Sequence, residues 1–230
     1  MPVPDRPARP ERPELRLPRD MPRRRAAGGA KSFALLHAIA HIELNAIDLA
    51  WDLIARFGPY LPDPALDDWV TVAAEEAIHF GLLSGRMTDL GGSYGDLPAH
   101  DGLWQAASAT AGDLAARLAV VPLVLEARGL DVTPGMIANF RRHGDTESVL
   151  ILERIYRDEI RHVAAGMRWF EWVCTAQSLE PGTTWRAHVG RYYRGFLKAP
   201  FNTAGRDQAG FPAAYYEPLQ GAGLKQDLDA

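Results

Sequence analysis

Two Glu-x-x-His pairs, at positions 76–79 and 159–162, constrain the fold of this chain more than any other feature. The glutamate of each pair lies 33 residues after a lone glutamate, Glu43 or Glu126. The same pattern is repeated 83 residues later in the chain. On an α-helix, residues three apart lie about 300° around the axis and are therefore neighbours on one face. The pattern predicts two similar helical hairpins, each carrying one lone Glu and one Glu-x-x-His pair.

This arrangement is the ligand set of a dinuclear carboxylate site in a four-helix bundle. Each predicted ligand interrupts an otherwise apolar helix face; Glu43, for example, shares its face with Ile39 and Ile47. A buried carboxylate without a partner is costly or becomes protonated, and a metal ion removes that penalty. The predicted metal ligands are Glu43, Glu76, His79, Glu126, Glu159 and His162.

The donor set also indicates which metals to expect. Four carboxylates and two imidazoles suit two iron ions, with manganese, a mixed manganese–iron pair or zinc as alternatives. Two divalent ions would balance the four negative charges. The residues before two ligand glutamates, Glu75 and Asp158, are acidic as well. Because ligand imidazoles usually donate their second N–H to a carboxylate, we predict that these residues orient the histidines; the alternative is an exposed helix charge.

Helix start and stop residues predict an all-α fold. Ser32 is a candidate N-cap, Gly58-Pro59 stops the first helix, and Asp63-Pro64 starts the second. Pro122, four residues before Glu126, predicts a kink near a ligand; such a kink is either functional or forced only by packing. We predict long helices at about 32–57, 63–90, 103–130, 145–174 and 184–198, and a short helix from Thr133-Pro134 to His143-Gly144.

Composition divides the chain into three predicted parts. Residues 1–30 are rich in Pro and Arg and form an extended arm, residues 31–199 form the helical bundle, and residues 200–230 form an aromatic strap packed on the bundle. Gly166, one turn beyond His162, either leaves room for a substrate or marks a close helix crossing. A separate polar cluster lies away from Glu43 on the first helix, and we predict that it contacts the surface or the arm and not the metals; it comprises His37, His41, Asp48 and Asp52.

Charge and cysteine usage exclude several classes of protein. A net charge of −4 argues against a general nucleic-acid binder, so we expect no DNA partner. The one cysteine, Cys174, excludes a disulfide framework and favours a reducing compartment. No secretory signal and no continuous apolar run of membrane length are evident. We therefore expect a cytoplasmic protein without a membrane partner.

The four ligand segments together resemble the signature of the ferritin-like diiron-carboxylate superfamily. The run Asp158–His162 is similar to that of its bacterial multicomponent monooxygenases, and the resemblance places Arg161 with Glu75 and Asp158 around the metals. The chain is most similar to a bacterial ferritin-like family catalogued as domain of unknown function 455, over about residues 30–219. The matching segments are Leu36–Glu43, Leu125–Pro134, Pro200–Asn202 and Ala209–Pro212.

The resemblance implies a ferritin-like four-helix bundle of two helical hairpins, with an extra C-terminal helix and an extended strap. It also implies that two irons activate O2 or peroxide to oxidise or hydroxylate an organic substrate. The expected partners are a small-molecule substrate and a reductase, and a homodimer is one option for assembly. One alternative is a metal-binding protein for iron handling, peroxide scavenging or sensing without substrate turnover. Another is a bundle whose polar core is only hydrogen-bonded.

Overall fold

The computed structural model describes residues 3–17, 20–21, 29–195 and 197–219, with side chains from residue 32 onward in the first helix. Its regular structure is helical apart from a two-residue parallel strand pair, β1 Leu15–Arg16 with β2 Ala99–His100. The all-α prediction is therefore confirmed. Two parts of the predicted arm and strap, residues 22–28 and 220–230, lie outside the described residues, and the predicted boundaries at residues 30 and 199 stay predictions.

The described helices fall into two compact units, Met1–Gln105 with Ile137–Ile155 and Ala106–Met136 with Tyr156–Ala230, here called the first unit and the second unit. A π-helical segment, Val121–Glu126, joins α4 to α5, and 3-10 turns lie at Gly58–Tyr60 and Glu217–Leu219. The helices are α1 Gly29–Phe57, α2 Asp63–Asp89, α3 Gly102–Ala109, α4 Leu114–Val120, α5 Ala127–Arg142, α6 Thr146–Ala176, α7 Pro181–Tyr192, α8 Thr203–Gln208 and α9 Ala213–Tyr216.

In the first unit, α1 packs against α2. α1 ends where predicted, at Phe57, because Gly58-Pro59 turns the chain into a 3-10 helix. α2 ends at Asp89: Gly91 takes a positive φ of 83°, and the Gly92 N–H donates to the Met87 carbonyl at 3.1 Å. This 6→1 bond satisfies a carbonyl that the helix end would otherwise leave without a donor. Glycine therefore ends both helices of this pair, Gly58 after α1 and Gly91 after α2.

The N-terminal arm of the first unit is tied to the polar face of α1. Arg9 forms an ion pair with Asp48 at 2.8 Å and donates a hydrogen bond to the Asn45 side chain at 2.7 Å. Arg56, which pairs with Asp52, donates to the Pro4 carbonyl at 3.0 Å. The predicted polar cluster on α1 therefore contacts the arm, as expected.

The two histidines of that cluster hold the loop after α2. The His37 ring nitrogen Nε2 accepts a hydrogen bond from the Gly95 N–H at 3.0 Å, and His41 Nδ1 bonds the Tyr94 hydroxyl at 2.8 Å. Burial is the main cause that lowers the pKa of His41 to about 4. His41 is therefore neutral at physiological pH, where it acts as a hydrogen-bonding group of the fold.

In the second unit, α4 packs against α7. The indole N–H of Trp185 donates to the Ala119 carbonyl at 3.1 Å, and the Trp185 ring contacts Phe211 edge-on with centroids 5.5 Å apart. Phe211 and Tyr216 are fully buried. The described part of the strap, residues 200–219, is therefore packed into the second unit, where it forms two short helices and not a purely extended segment.

The structure corrects several helix boundaries. α1 begins at Gly29, so Ser32 is not its N-cap. The predicted third helix is interrupted after Ala109 and resumes at Leu114, where Asp113 accepts a hydrogen bond from the Ala116 N–H at 3.0 Å as N-cap. The prediction that Pro134 begins a short helix is wrong, since Pro134 lies inside α5. The last long helix spans Pro181–Tyr192 instead of about 184–198.

By length and composition, α1 resembles a membrane span, because the stretch Ser32–Tyr60 contains a window with a mean hydropathy of 1.3. More than half of that window, 56%, is buried inside the protein. A buried core helix passes the same test, so this helix is weak support for a membrane span.

Candidate metal centre

The first unit brings three of the predicted ligands together. Glu43 on α1 and Glu76 and His79 on α2 are all buried, and one ligand atom of each lies within 4.8 Å of the others. His79 Nδ1 is 3.1 Å from a Glu43 carboxylate oxygen and 3.4 Å from one of Glu76. The i, i+3 spacing on α2 turns both of its ligands toward Glu43, as the helix geometry requires. This buried Glu/His cluster could hold a metal ion.

The electrostatics of this cluster fit a cation. Burial by itself lowers the pKa of His79, but the hydrogen bonds and negative charges of Glu43 and Glu76 outweigh burial and raise it to about 10. Without a metal, His79 is therefore an imidazolium that offsets the carboxylate charge. A ligand imidazole must be neutral, so a metal ion at this position would displace that proton. The residues present fit a divalent ion, because oxygen and imidazole donors surround a site that already selects positive charge.

The second unit holds the other three predicted ligands. Glu159 and His162 on α6 are buried, and Glu126, the last residue of the π-helical segment, is partly exposed. His162 Nδ1 lies 4.0 Å from a Glu159 carboxylate oxygen, which is beyond hydrogen-bond distance. The same helical spacing thus places a second carboxylate and imidazole side by side.

Gly129 brings the Glu159 carboxyl group close to α5. A Cβ atom built on Gly129 would lie 4.0 Å from the Glu159 carboxyl carbon. Gly129 is three residues after Glu126, in the first turn of α5. Sequence reasoning missed this residue, although a glycine at i+3 from a proposed ligand is a readable signal for close approach of another side chain.

The helix that carries Glu126 is locally widened. Val121–Glu126 forms a π-helical segment, in which the Ala127 N–H bonds the Pro122 carbonyl five residues earlier. Pro122 supplies no N–H of its own, so the regular i→i−4 ladder is already broken at this point. The predicted irregularity at Pro122 is present as a π-helical bulge, and π-helical turns of this kind are frequent at functional sites.

Gly166 allows a close helix crossing. A Cβ atom on Gly166 would lie 2.5 Å from the Pro122 Cβ atom and 2.8 Å from its Cγ atom. The missing side chain is therefore filled by the proline ring of the π-helical segment. Of the two interpretations that the sequence leaves open, the structure supports the close crossing.

The residues predicted to surround the metals are only partly defined. Asp158 is buried and accepts a hydrogen bond from the Arg161 guanidinium at 2.6 Å, one turn along α6. Glu75 is partly exposed on α2. The Asp158–Arg161 pair fixes the orientation of a buried carboxylate next to Glu159. The role of Glu75 and Asp158 in orienting the histidines stays a prediction.

The fold and the cluster together define a class: an all-α helical protein with a buried group of carboxylates and imidazole that could bind a metal ion. The family described as Protein of unknown function (DUF455) matches residues 1–217, and the chain belongs to this family. It is also 42% identical over 208 residues to an uncharacterized protein of Haemophilus influenzae, covering 88% of this chain and 72% of the relative. No solved structure matches the chain significantly. The predicted membership of the DUF455 family is thereby confirmed, and the resemblance to the ferritin-like superfamily stays a prediction.

Proposed function

We propose that the protein is a dinuclear-metal oxidoreductase that holds two iron ions. In this proposal the ligands are the six residues that the sequence pattern predicts: Glu43, Glu76, His79, Glu126, Glu159 and His162. The observation that carries the proposal is the buried trio of Glu43, Glu76 and His79, in which two carboxylates and an imidazole meet inside a core.

Charge is the physical reason to place metal ions here. Several carboxylates in an apolar interior repel one another and are poorly solvated, so they need counter-charge or protonation. The proton on His79 supplies one positive charge to the first-unit trio. Two divalent ions would supply four, which matches the four carboxylates of the proposed ligand set. Iron or manganese suits this mixture of oxygen and imidazole donors better than softer metals do.

The centre would supply activation of O2 or peroxide for the oxidation or hydroxylation of an organic substrate. The protein chain shapes the site and excludes water from it. Around the first-unit trio, α1 and α2 present buried apolar residues that exclude water, among them Ile39, Ala46 and Val72. Their low polarity strengthens every charge interaction at the ligands. A reductase would supply the electrons, and we place the protein in the cytoplasm with a small-molecule substrate.

Metal content is the first test. Protein purified without chelator is expected to contain two iron or manganese ions per chain by elemental analysis. Glu126→Ala and His162→Ala are each expected to lose at least one of them. Glu153→Gln is the matched control, because Glu153 is also on α6 but forms only a surface ion pair with Arg141. Retention of both ions in Glu126→Ala and in His162→Ala would contradict the ligand assignment.

Oxygen reactivity is the second test. The iron-loaded protein, given a reductant, is expected to consume O2, and the His162→Ala variant is expected to consume it more slowly. Protein that loads iron but never reacts with O2 or peroxide would exclude the oxidoreductase and favour metal binding without turnover. Protein without transition metal, whose melting temperature does not change with chelator, would exclude both and leave a hydrogen-bonded bundle.

A further inference from the structure

Pro134 leaves one carbonyl of α5 without its helical donor. In a regular helix the Leu130 carbonyl accepts from the N–H of residue 134, and proline has none. The side chain of Asn202 replaces it: its amide nitrogen donates to the Leu130 carbonyl at 2.9 Å. The same nitrogen lies 2.8 Å from the Tyr156 hydroxyl on α6. One amide group of the strap therefore bridges α5 and α6.

A second set of contacts fixes the strap to α5 beside the first. The backbone N–H of Asn202 donates to the Asp131 carboxylate at 3.0 Å. Arg206 forms two hydrogen bonds with the same carboxylate, at 2.9 and 2.8 Å, and its guanidinium reaches toward the Ala127 carbonyl at 3.5 Å. Arg206 is buried, with its guanidinium carbon 4.4 Å from the Tyr216 ring centre. A bidentate ion pair of this kind fixes the relative orientation of the two side chains in addition to pairing their charges.

These contacts lie next to the proposed ligands of the second unit. Leu130 is four residues after Glu126, and Tyr156 is three residues before Glu159, so each contact is about one helical turn, ~5 Å, from a ligand. Gly129, adjacent to Leu130, is the residue against which the Glu159 carboxyl group lies. The bridge thus lies about one helical turn from each of the two carboxylates.

We propose that Asn202 is a positioning residue that sets the separation of α5 and α6 at Glu126 and Glu159, and thereby the affinity of the second unit for metal. This inference rests on the proposed function, since it requires that these glutamates bind a metal ion. The bridge acts through the helices and touches neither the metal nor a substrate. Partners that hydrogen-bond directly to metal ligands typically change metal affinity by about 10–100-fold when removed, and we expect this bridge, one helical turn away, to act in the same direction.

The substitution Asn202→Ser separates the bridge from the other role of this residue. The Asn202 side-chain oxygen also caps α8 by accepting from the Gly205 N–H at 3.2 Å. Serine is an equally good N-cap but is too short to bridge Leu130 and Tyr156. Tyr215→Phe is the matched control, because it removes a bond from the strap to Glu171, which is 12 residues or about 18 Å along α6 from Glu159.

The test is a Co(II) titration of the metal-free full chain, followed by absorption spectroscopy, with thermal melting to confirm that each variant is folded. Asn202→Ser is expected to weaken Co(II) binding by about tenfold or more and to change the visible spectrum of the bound ion, while Tyr215→Phe leaves both unchanged. If Asn202→Ser does not fold, Tyr156→Phe, which removes only the α6 end of the bridge, is expected to weaken Co(II) binding in the same direction.

The outcomes separate the two proposals. Wild-type protein that binds Co(II), together with folded variants that bind it with wild-type affinity and spectrum, would overturn the positioning role alone. Equal weakening by Tyr215→Phe would overturn it too, because the effect would then belong to strap docking in general. Wild-type protein that binds no Co(II) would overturn the proposed metal centre and this inference together.

Discussion

The contact between Gly166 and Pro122 makes Gly166→Ala an informative substitution. The added Cβ atom would lie 2.5 Å from the Pro122 Cβ, 2.8 Å from its Cγ and 3.4 Å from the Leu123 Cδ2 atom. Carbon atoms in contact prefer about 3.5–4.0 Å, so the helix or the proline ring must move by about 1 Å. Neither is free to move easily, because the ring is buried and belongs to the π-helical segment.

Two opposing terms set the size of the effect. Overpacking of this kind costs about 1–3 kcal/mol, whereas alanine is favoured over glycine inside a helix by about 1 kcal/mol. Because a contact of 2.5 Å is far inside the normal distance, the overpacking cost lies at the upper end of that range, about 2–3 kcal/mol, and we expect a net loss of about 1–2 kcal/mol in the free energy of unfolding. For a chain of this length that loss lowers the melting temperature by about 2–8 °C. Since Gly166 is one turn past His162 and Pro122 one turn before Glu126, metal content is expected to fall as well.

The assay is urea denaturation of the metal-free protein, with elemental analysis of the metal-loaded form. Gly81→Ala in α2 and Gly190→Ala in α7 are the controls, because a Cβ atom at either position would meet nothing within 4 Å. Each control is expected to stabilise the protein by about 0.4–1 kcal/mol. A Gly166→Ala protein that is stabilised like the controls and keeps its full metal content would refute the close-crossing argument.

Three further predictions concern the second unit. Burial raises the pKa of the Cys174 thiol to about 11, so iodoacetamide is expected to alkylate the native protein slowly at pH 8 and faster as the pH approaches 11 or when urea unfolds the chain. Arg206→Met, which leaves the buried Asp131 carboxylate without its main partner, is expected to cost about 3–5 kcal/mol in urea denaturation. Arg186→Met on the surface of α7 is expected to cost under about 1 kcal/mol, and equal losses for both would contradict this reasoning. Trp185→Phe, which removes an indole hydrogen bond to a backbone carbonyl of α4, is expected to lower stability by about 1–2 kcal/mol in the same assay, and an unchanged midpoint would count against that bond.

The features that could be predicted from the sequence are those that local residue patterns determine. The i, i+3 spacing of Glu76 and His79 places both side chains on one face of α2 whatever the rest of the chain does, and the structure finds them together with Glu43. The glycine-proline pair after Phe57 ends α1 because neither residue continues a helix well. Pro122 breaks the hydrogen-bond ladder locally, so a kink near Glu126 could be expected, and the structure has a π-helical segment there.

The features that could not be predicted depend on distant residues. Proline usually starts or ends a helix, but Pro134 is accommodated inside α5 because Asn202, far along the chain, donates to the carbonyl that the proline leaves unbonded. The interruption between α3 and α4 is stabilised by the fully buried Arg117, which donates to Thr110 at 2.9 Å and to the Ala107 carbonyl at 2.6 Å. Neither the Asn202 contact nor the Arg117 contacts can be predicted from helical periodicity.

The arm that covers α1 has a consequence for how this protein would respond to trimming. Polar side chains that are buried or half-buried need hydrogen-bond or ion-pair partners, and the arm supplies several of the partners of α1. Here residues 4–9 screen the polar face of α1 through Arg9 and the Pro4 carbonyl. Proteolytic removal of this short segment would leave Asn45 and Asp48 without the Arg9 contacts and would open the polar face of α1 to water. We expect the clipped protein to unfold at a lower denaturant concentration than the intact chain.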